Sequence, residues 1–562
     1  MRIALLFVFL AITAVIGMPA QSGLYSGDFP GETGDAAIAE RYLLWVEQAA
    51  EAGQWEQART ALERAGDYAG ISSDLSYLLA VAMARDNENR ETILLALEKA
   101  ISTRRWIRYN EAQARLFQAE QLIILRRYSA AIETLTVRRT LAGDNADSAV
   151  LQLRALNGLA ADDISYLAEF HRHMLETMER YPRDTRTLRI LFNYAVRQES
   201  DGEDIGLLEL ALRRLPFLLE TDPELAWMAA PFIADDDQAR RMVGAYRSGS
   251  LLPQADNFFP APASIIPALN LGLIDDIDAI DELFTGSLPG ADETITLDKD
   301  IIISIGSLLR SEEGRNHLVR NLHSFTGTIS EDVDHDGFPE GQARYRQGVL
   351  TEYLYDIDQN GVPDLVVVFN LGTPRQAEMP ALPAVGYSLA RALIHWERYP
   401  SVSHVTLGNE TYLFAPGAFQ FSPITFEELC ATETYSGLFF PLYNLLNPGL
   451  SRRMLSSSAV TIQRPCDEFE GTEYIYLERG MPVRAEIIVD TMTVSVTEFE
   501  NGSPVIQRLD LDRDGRMETV RRFRSVNAAE LSADALLDYH HLVESSESDW
   551  DGDGIFEYRE QY

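Results

Sequence analysis

One short pattern, written four times, constrains this chain more than any other feature. It reads Asp-x-Asp-x-Asp/Asn-Gly-x-x-Glu/Asp, with an aromatic residue 13 positions after the first Asp. The first copy is Asp332, Asp334, Asp336, Gly337, Glu340 and Tyr345. The second, displaced by 24 residues, is Asp356, Asp358, Asn360, Gly361, Asp364 and Phe369. The third is Asp510, Asp512, Asp514, Gly515, Glu518 and Phe523, and the fourth is Asp549, Asp551, Asp553, Gly554, Glu557 and Tyr562. Acidic composition alone does not produce that agreement in spacing, so this is an internal repeat. Side chains at positions 1, 3 and 5 converge on one point only if the backbone turns sharply after them, and Gly at position 6 permits the turn. Oxygen ligands at this spacing suit a hard cation, and calcium takes six to eight of them.

The loops resemble the first nine positions of an EF-hand calcium loop, and equally the Asp-rich turns of thrombospondin type 3 and FG-GAP repeats. That resemblance implies calcium as the bound ion, held by the acids and Asn360 named above. Two departures separate the loops from an EF-hand. Position 12, where a bidentate Glu would stand, is Ala343, Val367 and Arg521 in the first three copies and Glu560 only in the last. Position 8 is Pro339 and Pro363 in the first two, which removes an amide that paired EF-hand loops share. The other reading of the residues is that Asp and Gly make Asx turns between strands.

Around the loops the sequence reads as β structure. Tyr353–Tyr355, Leu365–Phe369 and Thr519–Phe523 are rich in β-branched and aromatic residues, and Asn501-Gly502 is a hairpin signal. Residues 325–562 are therefore expected to form an antiparallel β-repeat domain with Asp-x-Asp-x-Asp-Gly loops. Within it, Ser388–Trp396 reads as a helix, as does Asp534–Glu544. His395 and His404 read as core or surface residues rather than ligands.

The N-terminal half has a different rhythm. From Ala36 to Arg247 apolar residues recur at three and four, with short breaks. Tyr42-x-x-Trp45 leads into Gly53-x-Trp55-x-x-Ala58-x-x-x-Leu62-x-x-Ala65. Ile93, Leu97 and Ala100 form a second copy, and Ala119, Leu122, Tyr128, Ala131 and Leu135 a third. Ala58, Ile93 and Ala131 are offset by 35 and 38 residues. This spacing resembles the tetratricopeptide repeat, whose small residues let two antiparallel helices approach. It implies an α-solenoid of helical hairpins over residues 36–247, with a concave face for a protein or peptide partner. The fold class expected is therefore multidomain, α then β. A Gly/Ser/Pro-rich linker at 248–263 and a helical connector at 264–324 join the halves. In the connector, Asp275, Asp276, Asp278 and Asp281 read as one solvated helix face.

Composition narrows the function. A formal net charge of -38 argues against nucleic acid or anionic membrane as partner. Arg2, the apolar run Ile3–Ile16 and Gly17 or Ala20 describe a secretory signal over residues 1–20, so the protein is expected in the periplasm, cell envelope or extracellular space. After its cleavage no integral membrane segment is expected. The two cysteines, Cys430 and Cys466, read as structural, bonded or not. No Gly-x-Ser-x-Gly elbow, phosphate-binding loop or His-Glu-x-x-His site is present. The leading expectation is an exported, non-enzymatic interaction protein with a partner-binding helical arm and a calcium-stabilised β domain. Two alternatives stay open: a calcium-dependent surface adhesin or carbohydrate/cell-wall binding protein, and a cell-envelope hydrolase with its site in 380–460.

Overall fold

The computed structural model describes residues 33–562 except 53, 70–71, 86–87, 137–144, 198–203, 252–259, 286–294, 381–390, 445–449, 451–453, 455–459, 525–538, 552 and 554. The expected signal over 1–20 and half of the 248–263 linker, residues 252–259, lie outside the described residues. Among those described, no helix is long and apolar enough to cross a membrane.

The first half is a run of helices: α1 (Thr33–Glu51), α2 (Trp55–Ala69), α3 (Ser73–Arg85), α4 (Arg90–Thr103), α5 (Glu111–Ile124), α6 (Tyr128–Thr136), α7 (Ala146–Asp162), α8 (Leu167–Arg180), α9 (Thr185–Arg197), α10 (Asp204–Leu218), α11 (Leu225–Met228) and α12 (Asp236–Arg247). Consecutive helices pack in pairs, α1 on α2, α3 on α4, α5 on α6 and α7 on α8. Ala58, Ala65, Ala100, Ala119 and Ala131 are fully buried where these helices touch, as a small residue at a close crossing must be. The core follows the chain as three successive clusters, the first from α1 to α5, the second from α4 to α7 and the third from α7 to α11. Each unit therefore leans mainly on its neighbours, the organisation of a solenoid. Ala58→Trp is expected to lower arm stability by about 3 kcal/mol, read from urea unfolding by circular dichroism, because an indole cannot enter that crossing without parting the helices.

Beyond α12 come α13 (Ile265–Asn270), α14 (Asp276–Thr285), a strand β1 (Ile295–Asp298), α15 (Lys299–Leu308) and α16 (Glu312–Ser324). The stretch expected to be purely helical thus contains a strand. The remaining strands are β2 (Gly327–Glu331), β3 (Gly341–Arg346), β4 (Val349–Tyr355), β5 (Leu365–Asn370), β6 (Thr373–Pro380), β7 (Arg391–Arg398), β8 (Ser401–Leu407), β9 (Glu410–Phe414), β10 (Ile424–Glu428), β11 (Phe439–Tyr443), β12 (Val460–Cys466), β13 (Gly471–Glu478), β14 (Met481–Val489), β15 (Met492–Glu500), β16 (Ser503–Leu509), β17 (Thr519–Phe523), β18 (Val543–Ser548) and β19 (Tyr558–Gln561).

Seventeen of these strands form one sheet, in which each pairs with the next in sequence except that β9 pairs with β12. β10 and β11 make a separate hairpin. Every pairing is antiparallel but one, β1 with β2. Residues of alternate parity, such as Leu365, Val367 and Phe369 on β5, face a core shared with α13 to α16 and the β10–β11 hairpin. The aromatics Tyr412, Phe414, Phe419, Phe421 and Phe440 of the middle region sit in that core.

Two expectations need correction. Residues 391–396 of the expected Ser388–Trp396 helix lie in strand β7, because Ala392, Ile394 and Trp396 are buried at period two; 388–390 lie outside the described residues. Of the expected Asp534–Glu544 helix, 534–538 lie outside the described residues, Tyr539–Leu542 form a short 3-10 helix, and Val543 and Glu544 open strand β18 instead. Cys430 and Cys466 are free thiols, the first against the main core and the second in a small cluster with Phe469.

Candidate functional site

The four Asp loops join β2 to β3, β4 to β5, β16 to β17 and β18 to β19. In an antiparallel meander alternate connections fall at opposite ends, and counting strands through the β9–β12 pairing puts all four loops at the same end of the sheet. The first two are neighbours, as are the last two. Ten strands separate the pairs, about 48 Å along the sheet at ~4.8 Å per strand.

Within each loop the backbone is folded by its own side chains. The amide of position 5 donates to the carboxylate of position 3 (Asp336 to Asp334, 3.1 Å; Asn360 to Asp358, 3.2 Å; Asp514 to Asp512, 3.1 Å; Asp553 to Asp551, 3.2 Å). Gly337, Gly361 and Gly515 donate to position 1 at 2.8 to 2.9 Å. These glycines sit at φ near 90°, where a side chain would be strained. The residues two before them, His335, Gln359 and Arg513, are left-handed too, at φ 55°, 53° and 64°. That second turn carries no glycine in the first three copies and was not readable from the spacing.

The position 9 acid has a second duty. In every loop it accepts the amide of position 2: Val333 to Glu340 (2.8 Å), Ile357 to Asp364 (2.8 Å), Leu511 to Glu518 (2.6 Å) and Trp550 to Glu557 (2.7 Å). Loops are also paired through the backbone, Asp356 donating to the Glu340 carbonyl and Asp549 to the Glu518 carbonyl, each at 2.9 Å.

Carboxylate oxygens converge within 4.8 Å of one another in four sets: Asp332, Asp334, Asp336; Asp356, Asp358, Asp364; Asp510, Asp512, Asp514; and Asp549, Asp551, Asp553, Glu557. Two oxygens on one calcium at ~2.4 Å each can be no farther apart than about 4.8 Å, so the sets have the size of one coordination shell. Glu340 and Glu518 do not join their sets, although Asp364 and Glu557, with the same bond to the amide of position 2, do; Glu340 also meets Arg126. Asn360 takes the position 5 place, with its Oδ1 accepting the Val362 amide at 2.7 Å. Burial and crowding with neighbouring acids push Asp332, Asp336 and Asp356 well above the ordinary carboxylate range. Asp336 Oδ2 and Glu518 Oε2 are buried without a hydrogen-bond partner. Crowded acids and orphaned acceptors are what a bound cation would relieve, so the residues fit calcium.

Sequence spacing missed who else reaches the loops. Three arginines of the helical arm do. The Arg90 backbone amide, at the start of α4, donates to the Asn360 carbonyl (2.8 Å) and its Nε to the Gln359 carbonyl (2.6 Å), while its guanidinium lies 5.2 Å over the Phe338 ring. Arg197, ending α9, donates to the carbonyls of Asp334 (2.8 Å) and His335 (2.9 Å). Arg126, just past α5, takes carboxylates instead, with Nε 3.0 Å from Asp334 Oδ2 and a close contact to Glu340. Gln359 bridges the two loops by donating to the Phe338 carbonyl at 2.8 Å. The carbonyls of positions 3 to 5, with the carboxylates of Asp334 and Glu340, are thus the surface that the arm grips.

The chain is 21% identical over 600 residues to an uncharacterized protein of Treponema pallidum (strain Nichols), covering 88% of this chain and 74% of that protein. No family's sequence profile matches it. Among solved structures it is similar to MamA (41-end) from Desulfovibrio magneticus RS-1, at 16% identity and TM-score 0.28, over 32% of this chain and 96% of that one. Yeast Tom70 is similar at 13% identity and TM-score 0.35, over 57% of this chain and 67% of that one.

Proposed function

We propose that this chain is an exported, non-enzymatic interaction protein whose helical arm offers a surface to a protein partner and whose β domain is stabilised by calcium in the Asp loops. The observation that carries the calcium reading is the fourfold recurrence of one coordination-sized acid set at one end of the sheet. Turn-making alone does not require that many carboxylates in each copy. The leader-like residues 1–20 support export, a setting in which calcium is abundant. The paired helices with small residues at their crossings support the partner-binding arm.

With no bidentate Glu at position 12 in three of the four copies, each site is expected in the ~10⁻⁴ to 10⁻³ M range of extracellular modules. A site at ten times its Kd adds about 1.4 kcal/mol to the folded state. Thermal melts of the full chain in millimolar calcium should therefore run clearly above those in chelator. Magnesium should do less, since it holds its waters and demands octahedral geometry. A variant carrying Asp332→Ala, Asp356→Ala and Asp510→Ala should lose most of the calcium response. Identical parent melts in calcium and chelator would leave the loops as Asx turns.

A further inference from the structure

We propose that the first loop is a cation-responsive latch, in which a divalent cation and the arm's Arg126 compete for Asp334, so that filling the loop loosens the arm from the sheet. This rests on the reading that the Asp loops bind calcium.

The three arm arginines are not equivalent. Arg90 and Arg197 hold loop carbonyls rather than carboxylates. Arg126 alone takes two of the loop's carboxylates, those of positions 3 and 9. Glu340 is 2% exposed, so the charge Arg126 meets there is desolvated. Its guanidinium is a resident cation on one of the three acids that converge there, Asp334, and on the position 9 acid beside them.

Two further atoms in the same seam ask for more than Arg126 supplies. Gln359, 4% exposed, keeps its Oε1 without a hydrogen-bond partner, and so does the buried Oδ2 of Asp336. Both are acceptors. A cation on Asp332, Asp334 and Asp336 would engage the second directly and set two positive charges beside the guanidinium, where repulsion is weakly screened. Each occupant must then weaken the other by the same factor. The third loop supplies an internal comparison, since Arg513 and Arg521 there reach Phe469 and Glu468 of the β domain.

The test uses the full chain, with calcium titrated by calorimetry and backbone amides followed by hydrogen exchange. Arg126→Gln should tighten one class of calcium site about tenfold and leave the others unmoved, whereas Arg126→Lys, which keeps the charge, should stay within about threefold of the parent. In the parent, calcium should speed exchange of the Arg90 amide, which is bonded to the Asn360 carbonyl. If calcium binds but that amide is unchanged or slower, and Arg126→Gln leaves every affinity alone, the latch is wrong and the calcium reading stands. If neither protein binds calcium, both fall together. Should Arg126→Gln not fold, the parent's exchange and Arg126→Lys decide the matter.

Discussion

Glu473→Ala is expected to destabilise the β domain by about 3 to 5 kcal/mol, the range for removing one partner of a buried charge network. Glu473 is 1% exposed on β13 and accepts from Arg464 Nε (2.7 Å) and the Tyr539 hydroxyl (2.6 Å), with His540 Nε2 3.2 Å away. Its loss takes from Arg464 a partner at 2.7 Å, while the contact to Glu410 is longer, at 3.8 Å. It also frees the short turn at Tyr539, whose ring fills the core between Phe499 and Phe523. Burial would push the Glu473 carboxyl up, yet His540, Arg464 and Tyr539 together hold it below its ordinary value of 4.5. A group lowered on folding stabilises fully above its unfolded value and loses that share as pH falls through the folded one. The difference between parent and Glu473→Ala should therefore be flat above pH 4.5 and shrink below it, measured by urea unfolding across pH.

Asp74→Ala should have a comparable effect in the arm, about 3 kcal/mol or more. Asp74 is wholly buried near the start of α3 and accepts the amides of Ile107 (2.7 Å), Arg108 (3.2 Å) and Tyr109 (2.8 Å), the turn that leads into α5. Three backbone donors would be left with no acceptor, and each such loss costs about 1 to 3 kcal/mol when buried. Asp74→Asn keeps one acceptor oxygen and should retain a good part of the stability. Far-ultraviolet circular dichroism in urea separates the three proteins, and an Asn variant as weak as Ala would refute the hydrogen-bond account.

What could be read from the sequence was local. The Asp loops announce themselves because position, turn and ligand all lie within nine residues, and Asn501-Gly502 closes its hairpin with both residues left-handed, at φ 49° and 83°. Small residues at helix crossings were legible for the same reason, as Ala58 and Ala131 show. Strand β7 misled because Leu393 stands on the less buried face between Arg391 and His395, so that Ala392, Leu393 and Ile394 read as an unbroken apolar run in which period two is masked. His395 and His404 stand nine residues apart yet stack at 4.2 Å, because the β7–β8 hairpin sets them opposite each other. Nothing in the sequence joins Arg126 to Asp334, or Glu473 to Tyr539. Such pairs are fixed by how the whole chain closes, and no window of neighbouring residues contains both partners.

The alternation of strand direction has a consequence for how a sheet of this kind can change length. All four loops share one end only because an even number of strands lies between any two of them. Deleting β14 with β15 would shorten the sheet and leave every loop where it is, whereas deleting β14 alone would send the last two loops to the far end. Insertions obey the same arithmetic. A sheet built this way can gain or lose hairpins but not single strands, and its evolvable unit is two strands long.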